Sequence, residues 1–557
     1  MRESPFVRNG KTLLSGIDPV RRAERTADAV SVRDRTLYFC PSPLYGYGLK
    51  RLLERLEAEA PNSAILCVEA DSELYELSVK SIAPSFAADK KLHITNIRDI
   101  ESLCALVRET WGVRAFRRVE TIRFSGGWQL FPQLYDSLCE QLQREIATDW
   151  SNALTLTKLG RLYIRNALRN ISLIPDFPSI TDISFGSSPI LVLGAGPSLD
   201  ETLDALESRF MENIRAVKRP FRIICVDTCL GALKDRNITP DLVVILESQY
   251  WNIRDFIGCR GWEVPVAADL SALPSSARIL VGGGYLFMTP WTQLRIFERL
   301  KEAALLPAVI PPLGSVGLAA VELARRLGSG KIICAGLDFS FSIDKFHARG
   351  TPGHRGRLNA QTRLRSIISH NYDASFAAVS KSGLSLRSNP SLQNYRDLFE
   401  REFSCDSRLF DIAGNGLPLG LKTLSMEDAI EMISGGSAEA TEGRILTTEF
   451  CSPNGQPGAT QREERELLKE KVLTFFYNEK KRLVELRNIL TGEAAEQGRL
   501  NVLIDECDYL WAHFPDYSGG RRPPLEEIAS GNDNALSFLK RLRAEIDPML
   551  ALIERQV

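Results

Sequence analysis

Apolar residues follow two rhythms along this chain of 557 residues. Between about 188 and 420 they come in short solid runs, PILVLGAG, RIICVDT, DLVVILES, VPVAADLS, ARILVGGG and KIICAGLDFS, separated by stretches with helical spacing. Runs that are apolar on both faces and alternate with helices predict a parallel sheet covered on both sides, whose ligand sits at the carboxyl ends of the strands. A smaller unit of the same kind precedes it. Residues 36–40 and 64–68 read as strands, 49–60 as an amphipathic helix between them, and PSPLYGYG as the joining loop. From Ser434 the rhythm changes: SGGSAEATEG and SPNGQPGATQ read as linkers, and 463–490 then places Leu467, Leu468, Val472, Phe475, Phe476, Leu483, Leu486 and Leu490 at helical spacing. Two further helical patterns cover about 500–511 and 525–553. These shifts divide the chain into an α/β domain at 1–148, a helical connector at 149–187, a central α/β domain at 188–434 and a helical domain at 435–557. The apolar stripe of the last reads as core packing, although a contact between two copies of the chain would look the same.

Composition narrows the function classes. With 69 basic and 70 acidic residues the chain has no global field to draw it to nucleic acid or an anionic membrane, so an anion site has to be local. No apolar stretch reaches the 18 residues of a membrane span, and MRESPFVRNGKTLL lacks the apolar core of a signal peptide. The 11 cysteines are scattered through apolar runs and never spaced CxxC, which suits reduced residues of a cytoplasmic protein and gives no zinc framework.

Candidate chemistry clusters at the predicted strand ends. In LVLGAGPSLDE, Gly194 and Gly196 permit close backbone approach, and Pro197 and Ser198 open a helix whose amides could meet a phosphate. The same residues also fit a capping box in which Ser198 caps the helix and Glu201 reaches back. Asp227 and Thr228 end the next strand, where an acid can meet a ribose hydroxyl or can cap the following helix. Glu247 ends a third, in ESQYWN with Gln249 and Asn252. A second turn, PPLGSVG, carries Gly314 and Ser315 before another helix. The loop KFHARGTPGHRGR holds His347 and His354 among Lys345, Arg349, Arg355 and Arg357; a histidine there suits general-base work with arginines holding an anion, against a simply solvated basic loop. No third ligand at usable spacing points to a metal. In the first domain, strand, glycine loop, helix, strand and acid at Glu69 and Asp71 have the form of a nucleoside-binding half-fold, but Pro41 and Pro43 remove backbone donors, so it reads as a degenerate, structural version.

The ordered set GAGPSLD, ITPDLVV, ESQYWN, GSVGLAAVELA, GLDFS, FHARG and DIAGNGLPLG resembles the motility accessory factor family of flagellin nonulosonic-acid glycosyltransferases, whose central domain is shared with 6-hydroxymethylpterin diphosphokinase-like proteins. The resemblance covers most of the central domain. It implies a central Rossmann-like, sialyltransferase-type α/β domain with a smaller N-terminal Rossmann-like domain and a C-terminal helical domain. It further implies CMP-nonulosonic acid as donor, flagellin as acceptor, a cytoplasmic location and no metal. By resemblance, Gly194, Gly196, Pro197 and Ser198 contact CMP, Gly314 and Ser315 sit near the sugar carboxylate and phosphate, and His347 is a candidate base or phosphate-binding residue. The transfer has to remove one proton, which His347 or an acid such as Asp338 could do. The alternatives are an ATP- and Mg²⁺-dependent pterin diphosphokinase drawing on Asp227, Glu247 and Asp338, and a flagellin-binding factor without turnover.

Overall fold

The computed structural model describes residues 6–86, 89–112, 115–210, 219–372, 375–435, 459–492, 497–515 and 533–556. Its chain forms two compact units, Met1–Gly160 with Ala512–Arg522, and Arg161–Trp511 with Pro523–Val557. The helix Pro132–Ile171 is unbroken across residue 148 and contributes to both.

The first unit begins with a hairpin, β1 (Phe6–Arg8) and β2 (Lys11–Leu14). A four-stranded parallel sheet follows, made of β3 (Thr36–Pro41), β4 (Ala64–Val68), β5 (Leu92–Thr95) and β6 (Arg118–Thr121) in the order β5-β4-β3-β6. The loop after β3 is collapsed. Gly46 and Gly48 have positive φ, and a Cβ on Gly46 would lie 2.6 Å from the Ile82 side chain. Glu69, placed where a ribose-binding acid would stand, is buried and accepts from Ser42 Oγ at 2.6 Å and the Tyr135 hydroxyl at 3.2 Å; burial raises its pKa. An acid sealed in this way has no free oxygen edge for a nucleoside.

The second unit holds nine parallel strands: β7 (Ile190–Leu193), β8 (Arg222–Val226), β9 (Leu242–Ile245), β10 (Val266–Asp269), β11 (Gly284–Met288), β12 (Ala308–Val309), β13 (Ile332–Ala335), β16 (Leu409–Ile412) and β17 (Lys422–Leu424). Their order is β12-β11-β10-β9-β8-β7-β13-β16-β17. Strands β7 to β11 are buried along their whole length, the signature of a sheet covered on both faces. From β7 the chain steps outward to β12, then returns to the other side of β7 with β13, so the topological switch point lies between β7 and β13. An antiparallel hairpin, β14 (Phe376–Val379) and β15 (Ser385–Ser388), interrupts the second half. One expected strand is shifted. ARIL forms a 3-10 turn at Ser276–Arg278, and the strand starts only at Gly284, where a Cβ would strike the Phe177 ring at 2.1 Å.

The helices Ala459–Leu490, Gln497–Glu506 and Asp533–Ile553 pack on one another through Phe475, Phe476, Leu483, Leu486, Phe538 and Leu542, all buried. The stripe read from the sequence is therefore core, with Leu467 left exposed. The linkers read at 434–443 and 452–461 fall mostly on residues outside the described set. No described cysteine forms a disulfide and most are buried, and no described helix is long and apolar enough to cross a membrane.

Candidate functional site

At the switch point the turns after β7 and β13 are fitted to each other. A Cβ on Gly194 would lie 2.4 Å from the Gly336 carbonyl, and one on Gly196 would lie 2.5 Å from Asp338 Oδ2, so both positions require glycine for close approach. The turn's amides are largely spent inside the protein. Gly194 N–H donates to Ala335 (2.8 Å), Gly196 N–H to Gly336 (2.8 Å), and Ser198 N–H to Asp338 Oδ2 (2.7 Å), while Ser198 Oγ donates to Asp338 Oδ1. Pro197 is buried and its carbonyl accepts from Lys345 Nζ at 3.1 Å. The capping box expected between Ser198 and Glu201 does not form: Asp338, 140 residues away, takes the serine N–H, and exposed Glu201 accepts from Asn415 Nδ2 at 3.4 Å. Burial pushes Asp338 up to about 6, against these hydrogen bonds and the nearby Lys381 ammonium. Lys381 is itself held by Asp411 (2.6 Å) and the Ile412 carbonyl (2.9 Å).

Asp227 follows β8 and is also buried. It accepts from Thr228 N–H (2.8 Å), Thr228 Oγ1 (3.2 Å) and Asn252 Nδ2 (2.6 Å), and burial raises it to about 6. Asp255, absent from the sequence reading, is raised to about 7 by burial and then by Asp227. Glu247 differs from both: it is exposed, and one oxygen accepts from Gln249 N–H at 2.8 Å. Beside it, Tyr250 and Trp251 are 71% and 60% exposed.

The second glycine turn has the opposite economy. Gly314 takes φ 67°, and Ser315 heads the helix Val316–Leu327 with extended backbone and no hydrogen bond from its hydroxyl to a described residue. Among the described residues, the N–H groups of Val316, Gly317 and Leu318 have no acceptor, whereas Ala319 N–H returns to Ser315. Three free amides at a helix start form an anion-binding end. Tyr395 lies against this turn, 3.4 Å from where a Cβ on Gly314 would be. Burial and then the Glu247 carboxylate raise Tyr395; the same two causes raise Tyr163 to about 12. Glu247, Tyr163, Tyr395 and the Gly314–Ser315 turn therefore belong to one neighbourhood at the carboxyl edge. Tyr163 is set there by Asn166 and Asn170 on the same helix. Each amide donates twice to backbone carbonyls, Asn166 to Ser248 (2.9 Å) and Ser271 (3.1 Å), Asn170 to Leu270 (3.0 Å) and Ala272 (2.8 Å). None of these four was read from the sequence; the NALRN spacing, two amides one helical turn apart, was the available signal.

The histidine loop is anchored rather than loose. Lys345 Nζ and Arg349 N–H bind Asp200 at 2.8 and 3.0 Å, and Ala348 N–H binds the Ala195 carbonyl at 3.0 Å, so the loop lies on the first glycine turn. Arg355 pairs with Asp235, and Arg357 binds Asn371 (2.7 Å) and covers the Phe346 ring. His347 has its Nδ1 enclosed without a partner, and burial followed by the Arg357 charge lowers it to about 4. At neutral pH it is an uncharged imidazole and a weak base.

Residues 163–344 match the family model of 6-hydroxymethylpterin diphosphokinase MptE-like proteins. The chain is 30% identical over 543 residues to an uncharacterized protein of Treponema pallidum, covering 96% of this chain and 90% of that one. It is 27% identical over 191 residues to the 6-hydroxymethyl-7,8-dihydropterin pyrophosphokinase of Methanothermobacter thermautotrophicus, covering 33% of this chain and 72% of the relative. Among solved structures, the MAf glycosyltransferase of Magnetospirillum magneticum AMB-1 superposes with a TM-score of 0.51 at 13% identity, over all of this chain and 84% of that one. At that identity the likeness is one of fold.

Proposed function

We propose that this chain, with its MptE-like central region and the fold of a MAf glycosyltransferase, belongs to the motility accessory factor family and is a glycosyltransferase moving a pseudaminic- or legionaminic-type nonulosonic acid from its CMP donor to serine or threonine hydroxyls of flagellin. The observation that carries this reading is the Gly314–Ser315 turn, whose three free helix amides and uncapped hydroxyl stand near Glu247 and two phenols. Those amides would hold the donor's phosphate or sugar carboxylate. Gly194, Gly196 and Pro197 shape the floor beside it, and Asp338, with both oxygens taken by Ser198, acts as a positioning residue for that floor. Exposed Tyr250 and Trp251 offer ring faces to the base or sugar, with Asp227, Thr228, Gln249 and Asn252 setting the strand ends beneath them.

A nonulosonic acid leaves CMP with oxocarbenium character, so the protein has to stabilise the departing phosphate, orient the hydroxyl and accept one proton. Glu247 is the exposed carboxylate of the neighbourhood and takes the proton in this scheme; His347, neutral at pH 7, contributes a hydrogen bond rather than a charge. Incubation with flagellin and CMP-nonulosonate should yield the mass gain of one sugar per modified hydroxyl. Glu247→Gln should lower kcat by about 100-fold or more, and Ser315→Ala should weaken CMP binding by about 10- to 150-fold, the worth of about one hydrogen bond to a charged group. Full transfer by Glu247→Gln would remove it as the base.

The matched pterin pyrophosphokinase favours a second reading, transfer of diphosphate from ATP. That chemistry places Mg²⁺ on carboxylates. Asp227, Glu247 and Asp338 stand on separate strand ends, and no three His, Cys, Asp or Glu side chains among the described residues form a metal-holding group. Thermal stabilisation by ATP only with magnesium, and none by CMP, would decide for the kinase.

A further inference from the structure

The lobe between β13 and β16 leaves a strand edge open. Ser380 N–H donates to the Leu384 carbonyl at 2.9 Å, which fixes the hydrogen-bonded pairs of the β14–β15 ladder. Antiparallel pairs alternate, so Ala377 and Val379 are non-hydrogen-bonded positions whose N–H and C=O groups point away from β15. Arg387, opposite Ala377, shows the same alternation on the far side: its N–H and C=O exchange bonds with Phe341 at 3.0 and 2.9 Å. Hence one edge of the hairpin is sewn to the segment leaving β13, and the other is unpaired among the described residues at Ala377 and Val379, with Lys381 beyond them held by Gly416. The open strand reads FAAV, with Phe376 41% and Val379 63% exposed. Neither a charge nor a proline guards it, the usual protections of such an edge.

We propose that the open edge of β14 binds an extended segment of acidic, apolar polypeptide by strand addition. A row of outward N–H and C=O groups at strand spacing is complementary to another backbone, not to a lipid or a nucleotide. The charge of the lobe selects the partner: residues 345–387 hold eight lysines and arginines and one aspartate. Although Lys345, Arg349, Arg355 and Lys381 meet Asp200, Asp235 and Asp411, Arg357 and Arg387 bind Asn371 and Ser375 rather than a carboxylate, and Arg363 is exposed. The hairpin is tied to the carboxyl edge of the sheet, through Ser388 Oγ donating to the Phe339 carbonyl at 2.9 Å and Lys381 N–H to Gly416 at 2.9 Å. A strand added there is held beside the switch point, so this inference rests on the reading that the acceptor is a polypeptide and says how it is gripped.

The probe is a fluorescein-labelled ten-residue peptide of alternating valine and glutamate with blocked ends, titrated by anisotropy against the full chain. Twins carry lysine for glutamate, or N-methyl groups along one backbone edge. The acidic peptide should bind at least 10-fold tighter than either twin. Ala377→Pro removes an N–H that donates to nothing within the described protein, and should weaken binding at least 10-fold while CMP raises the Tm as in the parent. Val379→Glu, a surface change, should repel the same peptide. Equal binding of the N-methylated twin, of Ala377→Pro or of Val379→Glu overturns strand addition, as does no binding to the parent. A dimer in sedimentation that Ala377→Pro abolishes would instead assign the edge to a second copy of the chain. If CMP fails to bind while the peptide behaves as stated, the donor assignment fails and the edge assignment stands.

Discussion

Gly196 and Gly314 were read alike from the sequence and differ in what surrounds them. A Cβ at 196 would meet Asp338 Oδ2 at 2.5 Å and the Gly336 carbonyl at 2.7 Å, so Gly196→Ala forces the switch-point turns apart. It should cost ~2 kcal/mol in urea denaturation. Gly314→Ala meets only the Tyr395 ring edge and should cost ~1 kcal/mol, from its left-handed backbone. His347 carries a pH signature. The folded imidazole stays neutral down to about 4, whereas the unfolded one takes a proton near 6.5. Its contribution to stability is therefore whole above 6.5 and lost as pH falls through about 4. Asp227 and Asp338, raised to about 6, act with the opposite sign: they favour the fold below the unfolded value and cost stability as pH rises through about 6. Subtracting the stability–pH curve of His347→Gln from that of the parent isolates the histidine and should show a loss of up to ~3 kcal/mol between pH 6.5 and 4; a flat difference would mean the imidazole is charged in the fold.

Among elements, the helix Pro132–Ile171 is fastened to the segments that follow β9 and β10 by two asparagines rather than by apolar packing alone. Asn170→Ala leaves two buried carbonyls unpaired and should cost ~2 to 3 kcal/mol, and Asn170→Asp more, since it buries a charge against them. The helix Val316–Leu327 makes the contrast. Its Ser315 caps nothing, so Ser315→Ala should change stability by less than ~0.5 kcal/mol, while Asn389→Ala, which removes a side-chain cap on Leu392 N–H at 2.9 Å, should cost ~1 kcal/mol. A serine that is dispensable for folding but needed for CMP binding would mark that helix end as a ligand site.

For the second unit as a whole, the carboxyl-terminal helices belong to the same compact body as the large sheet. Arg299 and Glu479, 180 residues apart, form a buried two-point ion pair at 2.6 and 2.8 Å, with Glu479 out of contact with solvent and Tyr509 leaning on the same carboxylate at 3.4 Å. Arg299→Ala takes two bonds from that carboxylate and leaves Arg482, at 3.0 Å, as its cationic partner, so it should destabilise this unit by ~2 to 3 kcal/mol and broaden its unfolding transition, seen by calorimetry. A merely appended helical tail would let the sheet melt unchanged.

Solid apolar runs at 190–193, 222–226 and 242–245 determined the parallel sheet, and the helical spacing of 467–490 determined the packed tail, because periodicity is a local property that burial enforces directly. Glycine-turn chemistry after β7 and before the 316–327 helix was legible as well. Which of the two turns remains free was decided by tertiary structure alone. Strand order sets β13 beside β7, and that adjacency lets Asp338 reach Ser198 and consume the first turn, while no strand end reaches the amides after Ser315. The hydrogen-bond partner of a buried N–H is chosen by whichever acceptor the fold brings near it, and spacing along the chain carries no record of a neighbour 140 residues away.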